Sequence, residues 1–361
     1  MTSGQMTRRD AIAASVGDLA AGEVRAQTAG PAASVAIPAG TSRPLLHLPN
    51  RDIPVPLSVS PKAQASLARA VRPQPDFPAL DDHAAWRKMI AESDAAIRPM
   101  LEAAESPAPP AVEEIHVGQV PVYVVTPLAV AKENRRVCLE IHGGGLINAA
   151  GVLCRLMAVG VATRYGARVW SPDYRMPPDH PYPAGLDDCV AAYRELLRTH
   201  RPGEIIVTGS SAGGNLAAAL ILRARDEGLP LPAAAVLHTP EVDLTESGDT
   251  FETNLGLDSL LTRRLMPINI LYAAGHDLGH PYLSPLFGDF SKGFPPTFLA
   301  SGTRDLFLSN TVRMHRALRT AGVPADLHVF EAAPHGGFGG ALEDEELARE
   351  IRCFIESHWQ S

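Results

Sequence analysis

The sequence predicts an α/β fold, a mostly parallel sheet with helices on both faces, and three observations point to it. Short apolar runs at residues 120–126, 137–141, 167–171, 204–207, 233–238, 297–300 and 326–330 are mostly separated by helical stretches. A parallel sheet covered on both sides produces that alternation. The chain of 361 residues is 45% hydrophobic and 20% charged, which suits one large globular domain with a sizeable core. Finally, Ile205-Ile206-Val207 runs directly into a glycine turn and an Ala/Leu-rich helix. Such sheets carry their active sites at the carboxyl ends of the strands.

In chain order, Thr7-Arg8-Arg9-Asp10, an Ala-rich stretch to Ala21 and Val24-Arg25-Ala26 look like a twin-arginine export signal over residues 1–29. That signal would take the protein to the periplasm or out of the cell. Asp18 and Glu23 interrupt its apolar part, and the same segment read as a plain tail leaves a cytoplasmic protein. Residues 27–80 are rich in Pro, Ala and Ser with little periodicity, and read as an irregular leader that wraps the domain or stays loose. From Asp81 the pattern turns helical. Trp86, Met89, Ile90, Ile97, Met100 and Leu101 recur at helical spacing behind Asp81 and Asp82, which can cap a helix start. One or two accessory helices therefore precede the core.

Composition narrows the partners. The net charge is -8, and basic residues cluster no further than pairs such as Arg135-Arg136 and Arg263-Arg264, so no electrostatic footprint for nucleic acid exists. No apolar run reaches the roughly 18 to 20 residues of an integral membrane segment. Cys138, Cys154, Cys189 and Cys353 lie far apart without a C-x-x-C pair, which fits buried free thiols rather than zinc or a disulfide framework. A small-molecule partner is the expectation.

The chemistry concentrates in three places. Gly209-Ser210-Ser211-Ala212-Gly213 is the one G-x-S-x-G in the chain. A tight strand-to-helix turn holds its serine in a strained conformation that only small neighbours tolerate, and sets the hydroxyl at a helix N-terminus. Upstream, His142-Gly143-Gly144-Gly145 leaves another strand through three glycines whose N–H groups can converge on a developing negative charge. A phosphate loop would continue with Lys-Ser/Thr, whereas Leu146-Ile147-Asn148 follows. The oxyanion hole is thus assigned to the N–H groups of Gly143, Gly144 and Ala212, with His142 as a loop-orienting side chain. For the base, His315 falls in a helical segment, His328 in a strand and His358 near the terminus, while His335 occupies the turn Ala333-Pro334-His335-Gly336-Gly337 just past a strand. His335 has the loop position that a base needs. Asp305, after the strand and glycine turn ending in Gly302-Thr303-Arg304, is the carboxylate that would orient it, and Asp289 and Asp326 flank strands at the wrong ends. The order Ser211, Asp305, His335 is that of the G-x-S-x-G hydrolases.

Together with Asp173-Tyr174-Arg175 and Pro181-Tyr182-Pro183-Ala184, these motifs resemble the bacterial hormone-sensitive-lipase-like esterases, over about residues 113–358. The resemblance implies an eight-stranded α/β-hydrolase core in residues 113–361 with a cap insertion near 245–280. It also implies an N-terminal helical cap within residues 30–112, no cofactor, and hydrolysis of short- to medium-chain carboxylic esters. His276 to Pro285 is similar to members known as ε-lactone hydrolases, so the expected substrate is a small ester or lactone. The family commonly has Asp or Thr before the nucleophile, where this chain has Ser210. Acyl selection would fall to the cap, where Leu257, Leu260, Leu261, Leu265 and Met266 line a pocket or simply pack. A homodimer is left open. Two other readings compete: a metal-dependent hydrolase using His276 and His280, which Gly279 and Pro281 disfavour as a helical pair, and a non-catalytic receptor of the same fold, whose plant examples lack the triad histidine that His335 supplies here.

Overall fold

The computed structural model describes residues 45–50, 52–69, 74–103 and 109–359. The twin-arginine-like stretch of residues 1–29 lies outside the described residues. In chain order the elements are α1 (Pro61–Leu67), α2 (His83–Ala103), β1 (Ala111–Val117), β2 (Val120–Thr126), β3 (Val137–Ile141), α3 (Val152–Tyr165), β4 (Arg168–Pro172), α4 (Ala184–Thr199), β5 (Ile205–Ser210), α5 (Ala212–Asp226), β6 (Ala234–His238), α6 (Thr250–Thr253), α7 (Met266–Ala273), β7 (Thr297–Gly302), α8 (Leu308–Thr320), β8 (Ala325–Phe330) and α9 (Leu342–His358).

The eight strands form one sheet in the order β1-β2-β4-β3-β5-β6-β7-β8. The pairs β1/β2 and β2/β4 are antiparallel and every other pair is parallel. Each central strand is buried on both faces because successive side chains point to opposite sides. Thus Val137, Leu139, Ile141, Ile205, Val207 and Leu237 join the core under α4, α5 and α8, while Cys138, Ile206, Val236 and Phe298 join the opposite core under α3 and α9. Register sets the loops that carry Gly143, Ser211, Asp305 and His335 side by side. Ile141 pairs with Gly209, Ser210 with His238, His238 with Ala300, and Gly302 with Phe330. The loops after β3, β5, β7 and β8 therefore leave the sheet together.

Two elements depart from the sequence reading. Strand β1 did not register among the apolar runs because Glu113, Glu114 and His116 interrupt it and most of its residues are exposed. Its place is the sheet edge, where a polar strand is tolerated. Helix α1 forms inside the segment read as irregular. Ser60 caps it, accepting from Ala63 N at 3.3 Å, with Pro61 in the first turn. Val59 and Ala63 pack against Ala332, Ala333, Phe338 and Ala341, the residues that flank His335. The Glu343 carboxylate accepts from Ser60 N at 2.6 Å and Ser60 Oγ at 2.8 Å, and Lys62 Nζ donates to Gly340 O at 2.7 Å. This strap thus holds the outer side of the loop after β8.

Glu343→Ala is expected to lower stability by about 1 to 2 kcal/mol, because two hydrogen bonds to one charged group are lost. Burial would raise the Glu343 carboxyl, but the Ser60 donors outweigh it and hold it below its ordinary value. A depressed carboxyl stabilises above its unfolded pKa and loses that contribution as pH falls through the folded pKa. Melting curves from neutral to acid pH should therefore show the variant's deficit shrinking as pH falls; a deficit that grows toward acid would contradict the assignment.

Helix α2 forms where its periodicity predicts, with Trp86 buried and Met89, Ile90, Ile97 and Leu101 half-buried, whereas Met100 of the same apolar set is exposed. Asp82 Oδ1 accepts from Ala85 N at 3.0 Å, and Trp86 is fully buried against Ile147, Phe251, Leu265 and Ile268. Cys138, Cys154 and Cys189 are buried free thiols, whereas Cys353 is exposed. Among the described residues no helix is long and apolar enough to cross a membrane.

Candidate active site

Ser211 stands between β5 and α5 with φ 58° and ψ -124°, a conformation that side chains rarely adopt and that sharp nucleophile turns impose. Its surroundings require small residues. A Cβ on Gly213 would collide with the carbonyl oxygen of Ile141, so α5 could not lie so close to β3. Hydrogen bonds fix the turn, with Ser211 N donating to His238 O at 3.0 Å and Glu241 N donating to Ser211 O at 3.1 Å.

The loop after β8 brings His335 to the serine, with Nε2 2.8 Å from Ser211 Oγ. On the other side of the ring, Nδ1 lies 3.0 Å from Asp305 Oδ1 in the loop after β7. Asp305 is fully buried, and its other contacts leave no freedom to turn: Phe307 N donates to Oδ1 at 2.9 Å and Ser301 Oγ donates to Oδ2 at 2.6 Å. Because an ionised carboxylate only accepts, His335 donates through Nδ1–H and presents Nε2 as acceptor to the serine hydroxyl. Burial alone would lower the His335 pKa, but the charge of Asp305, its hydrogen bond and the charge of Asp258 outweigh it and raise the pKa above the ordinary imidazole value. Of the histidines, only His335 bonds Ser211 among the described residues. His315 lies on α8, His328 on β8 pairs with Glu350 at 2.7 Å, and His358 at the end of α9 contacts Phe354 O at 2.8 Å. Asp289 accepts from Ser291 N beside a short turn, and Asp326 lies within β8.

The glycine loop after β3 packs directly on the Ser211 turn, since a Cβ on Gly143 would stand 3.4 Å from Ser211 Cβ and 2.9 Å from Ser210 O. Gly144 has φ 126°, which favours glycine. The N–H groups of Gly143, Gly144 and Ala212 donate to no acceptor among the described residues. His142 supports this loop from below. Its Nδ1 donates to Gly143 O at 2.8 Å, its ring stacks on Tyr174 at 4.2 Å, and burial lowers its pKa to about 4. Helix α2 fixes the far end, where Asp94 Oδ1 accepts from Asn148 Nδ2 at 2.9 Å and Ala149 N at 3.1 Å.

The sequence reading missed a second buried carboxylate. Asp258, in the stretch between α6 and α7, is fully buried, and its oxygens accept from Leu306 N at 2.8 Å, Leu260 N at 2.9 Å and Leu261 N at 3.0 Å. His335 N lies 3.3 Å from Oδ2 and 3.4 Å from Oδ1. Only its acidic character amid leucines set it apart in sequence, which no local pattern interprets. Leu265 is buried as packing, Leu261 is half-buried against the same cluster, and Leu260 is exposed beside Gly336.

His276 sits edge-on to Tyr182 at 5.1 Å, and His280 accepts from Tyr282 N at 3.1 Å. Among the described residues, the groups close enough to share an ion are His142 with Cys154 and Asp173, and Asp258 with Asp305 and His335. Neither contains His276 or His280.

Residues 138–338 match the family described as the alpha/beta hydrolase fold. The chain is 36% identical over 206 residues to an acetyl-hydrolase of Streptomyces hygroscopicus, covering 56% of this chain and 68% of that protein. It is 32% identical over 237 residues to a carboxylesterase of Mycobacterium tuberculosis, covering 62% of this chain and 72% of that protein. Other curated relatives are matched over as little as 62% of their length. Among solved structures, an esterase named E25 superposes with TM-score 0.81 at 35% identity, over 88% of this chain and 99% of that chain. An esterase from the bacterial hormone-sensitive lipase family superposes with TM-score 0.71 at 29% identity, over 84% and 100%. The chain therefore belongs to the α/β-hydrolase fold family, among the bacterial hormone-sensitive-lipase-like esterases.

Proposed function

We propose that the protein hydrolyses carboxylic esters through Ser211, His335 and Asp305. The observation that carries this reading is the continuous chain from Ser211 Oγ to His335 Nε2 at 2.8 Å and from His335 Nδ1 to Asp305 Oδ1 at 3.0 Å. His335 Nε2 takes the hydroxyl proton as Ser211 Oγ attacks the ester carbonyl carbon. The N–H groups of Gly143, Gly144 and Ala212 hold the oxygen that becomes negative, each removed donor typically costing about 2.7 to 4 kcal/mol of barrier. His335 then gives the proton to the departing alkoxide, leaving an acyl-enzyme. A water deprotonated by the same nitrogen attacks that acyl group, and the carboxylic acid departs as Ser211 recovers its proton. Asp305, bonded to Nδ1, holds the ring and stabilises the imidazolium.

The substrate class proposed is short- to medium-chain esters, with lactones included because ring opening breaks the same bond. Selection falls to α2 and residues 245–280. Ile268 Cδ1 lies 3.9 Å from where a side chain on Gly145 would begin, and Leu260 Cδ2 4.0 Å from the corresponding point of Gly336. These residues stand beside the oxyanion loop and the histidine loop.

The test is a series of p-nitrophenyl esters of rising acyl length with a panel of lactones, run beside Ser211→Ala. Activity should be highest on short and medium chains and vanish in the variant. A profile that is flat and equal to that of the variant would sink the proposal, and tight ligand binding without turnover would favour a receptor.

A further inference from the structure

We propose that Asp258 is a positioning residue for the catalytic pair, anchoring the backbones of the Asp305 and His335 loops to residues 245–280 and placing a second negative charge beside the imidazole. The inference rests on the triad reading and assigns a role to a residue outside it.

The geometry is that of a staple. The Asp258 carboxylate accepts from its own loop at Leu260 N and Leu261 N, from the acid loop at Leu306 N, and approaches the base loop at His335 N. Leu306 directly follows Asp305, so that bond fixes the peptide on which the catalytic carboxylate is mounted. The bond to His335 N fixes the backbone from which the base is hung. Asn254 repeats the connection from α6's end, its Nδ2 donating to Asp305 O at 2.8 Å and Thr303 O at 3.1 Å. No other described element ties residues 245–280 to both loops through a single side chain.

A carboxylate is the group this place requires. Both oxygens face N–H donors, so an amide could satisfy one side only and would turn its own N–H groups toward another donor. Its oxygens are also occupied by these donors, which argues against a cation shared with Asp305 and His335. Charge matters as well, because Asp258, Asp305 and His335 bring ligand atoms within 4.8 Å of one another. The groups that face His335 are Asp305 from the loop after β7, Asp258 from residues 245–280, the Ser211 hydroxyl from the turn between β5 and α5, and His238 from the end of β6. The Phe307 ring meets the imidazole edge-on at 4.9 Å. His238 is kept neutral by burial, which lowers its pKa to about 4. The two aspartates are thus the charges that stabilise the imidazolium.

Asp258→Asn separates this account from a merely structural one. A displacement of the base by about 1 Å costs on the order of 100-fold, so kcat should fall about 10- to 100-fold while KM changes little. The acidic limb of the pH profile should move to lower pH, because one of the charges raising the His335 pKa is gone. The same shift should be visible in the His335 imidazole NMR titration, assigned by its loss in His335→Gln and recorded in the Ser211→Ala background, where turnover plays no part. Should Asp258→Asn fail to fold, Asp258→Glu takes its place: it keeps the charge, and kcat should fall with the acidic limb retained. An unchanged kcat with an unmoved His335 titration overturns the inference. Activity retained by Ser211→Ala would overturn the triad reading instead, and leave the titration to judge Asp258 separately.

Discussion

Ser211→Ala is expected to lower kcat/KM by about 10⁵-fold, or about 7 kcal/mol of transition-state stabilisation. The size follows from what remains. The N–H groups of Gly143, Gly144 and Ala212 can still polarise a carbonyl, so a residual acceleration over water is expected, but no acyl-enzyme can form. The fold should be unaffected, because the turn is held by backbone bonds from Ser211 N to His238 O and from Glu241 N to Ser211 O, neither of which uses the hydroxyl. Ester hydrolysis measured with an acetate or butyrate p-nitrophenyl ester, beside a melting curve, checks both halves. A loss below about tenfold in a fully folded variant would mean that the nucleophile lies elsewhere.

His335→Ala should cost nearly as much, and the double variant with Ser211→Ala should cost no more than either alone. Groups that act as one unit are grossly non-additive: once the proton cannot be removed the hydroxyl is inert, and without the hydroxyl the base has nothing to activate. Two independent contributors of this size would instead multiply to about 10¹⁰-fold, a difference that kinetics on the three variants resolves without ambiguity. The pH behaviour has a definite sign. Catalysis needs neutral His335, whose pKa is raised above the ordinary imidazole value by Asp305 and Asp258 despite burial, so wild-type activity should fail on the acid side earlier than an isolated imidazole would suggest.

How much of this was legible in sequence depended on how local each requirement is. Ser211 was legible because its strained turn demands small residues at adjacent positions, and Gly143 and Gly144 because they leave a recognisable strand. Asp305 and His335 could be selected because parallel strands deliver their loops to one end of a sheet, which excluded His328 and Asp326, both inside β8. Strand β1 escaped because an edge strand has no need of apolar alternation. Helix α1 escaped because seven residues do not make a stable helix alone; its support comes from the Ala332 to Ala341 region and from Glu343, which lies 283 positions after Ser60. Asp258 was invisible for a related reason. Its importance lies in three loops meeting around it, and a single acidic residue among leucines carries no trace of them.

The central claim is that one hydroxyl, activated by His335, becomes acylated. Incubation with a fluorophosphonate followed by peptide mass spectrometry tests it most directly, because the reagent phosphonylates an activated serine far faster than an ordinary hydroxyl. One adduct per chain is expected, on the peptide carrying Ser211, formed in parallel with loss of ester hydrolysis and absent from Ser211→Ala. Labelling of another residue, or full hydrolysis by a chain that takes no label, would contradict it.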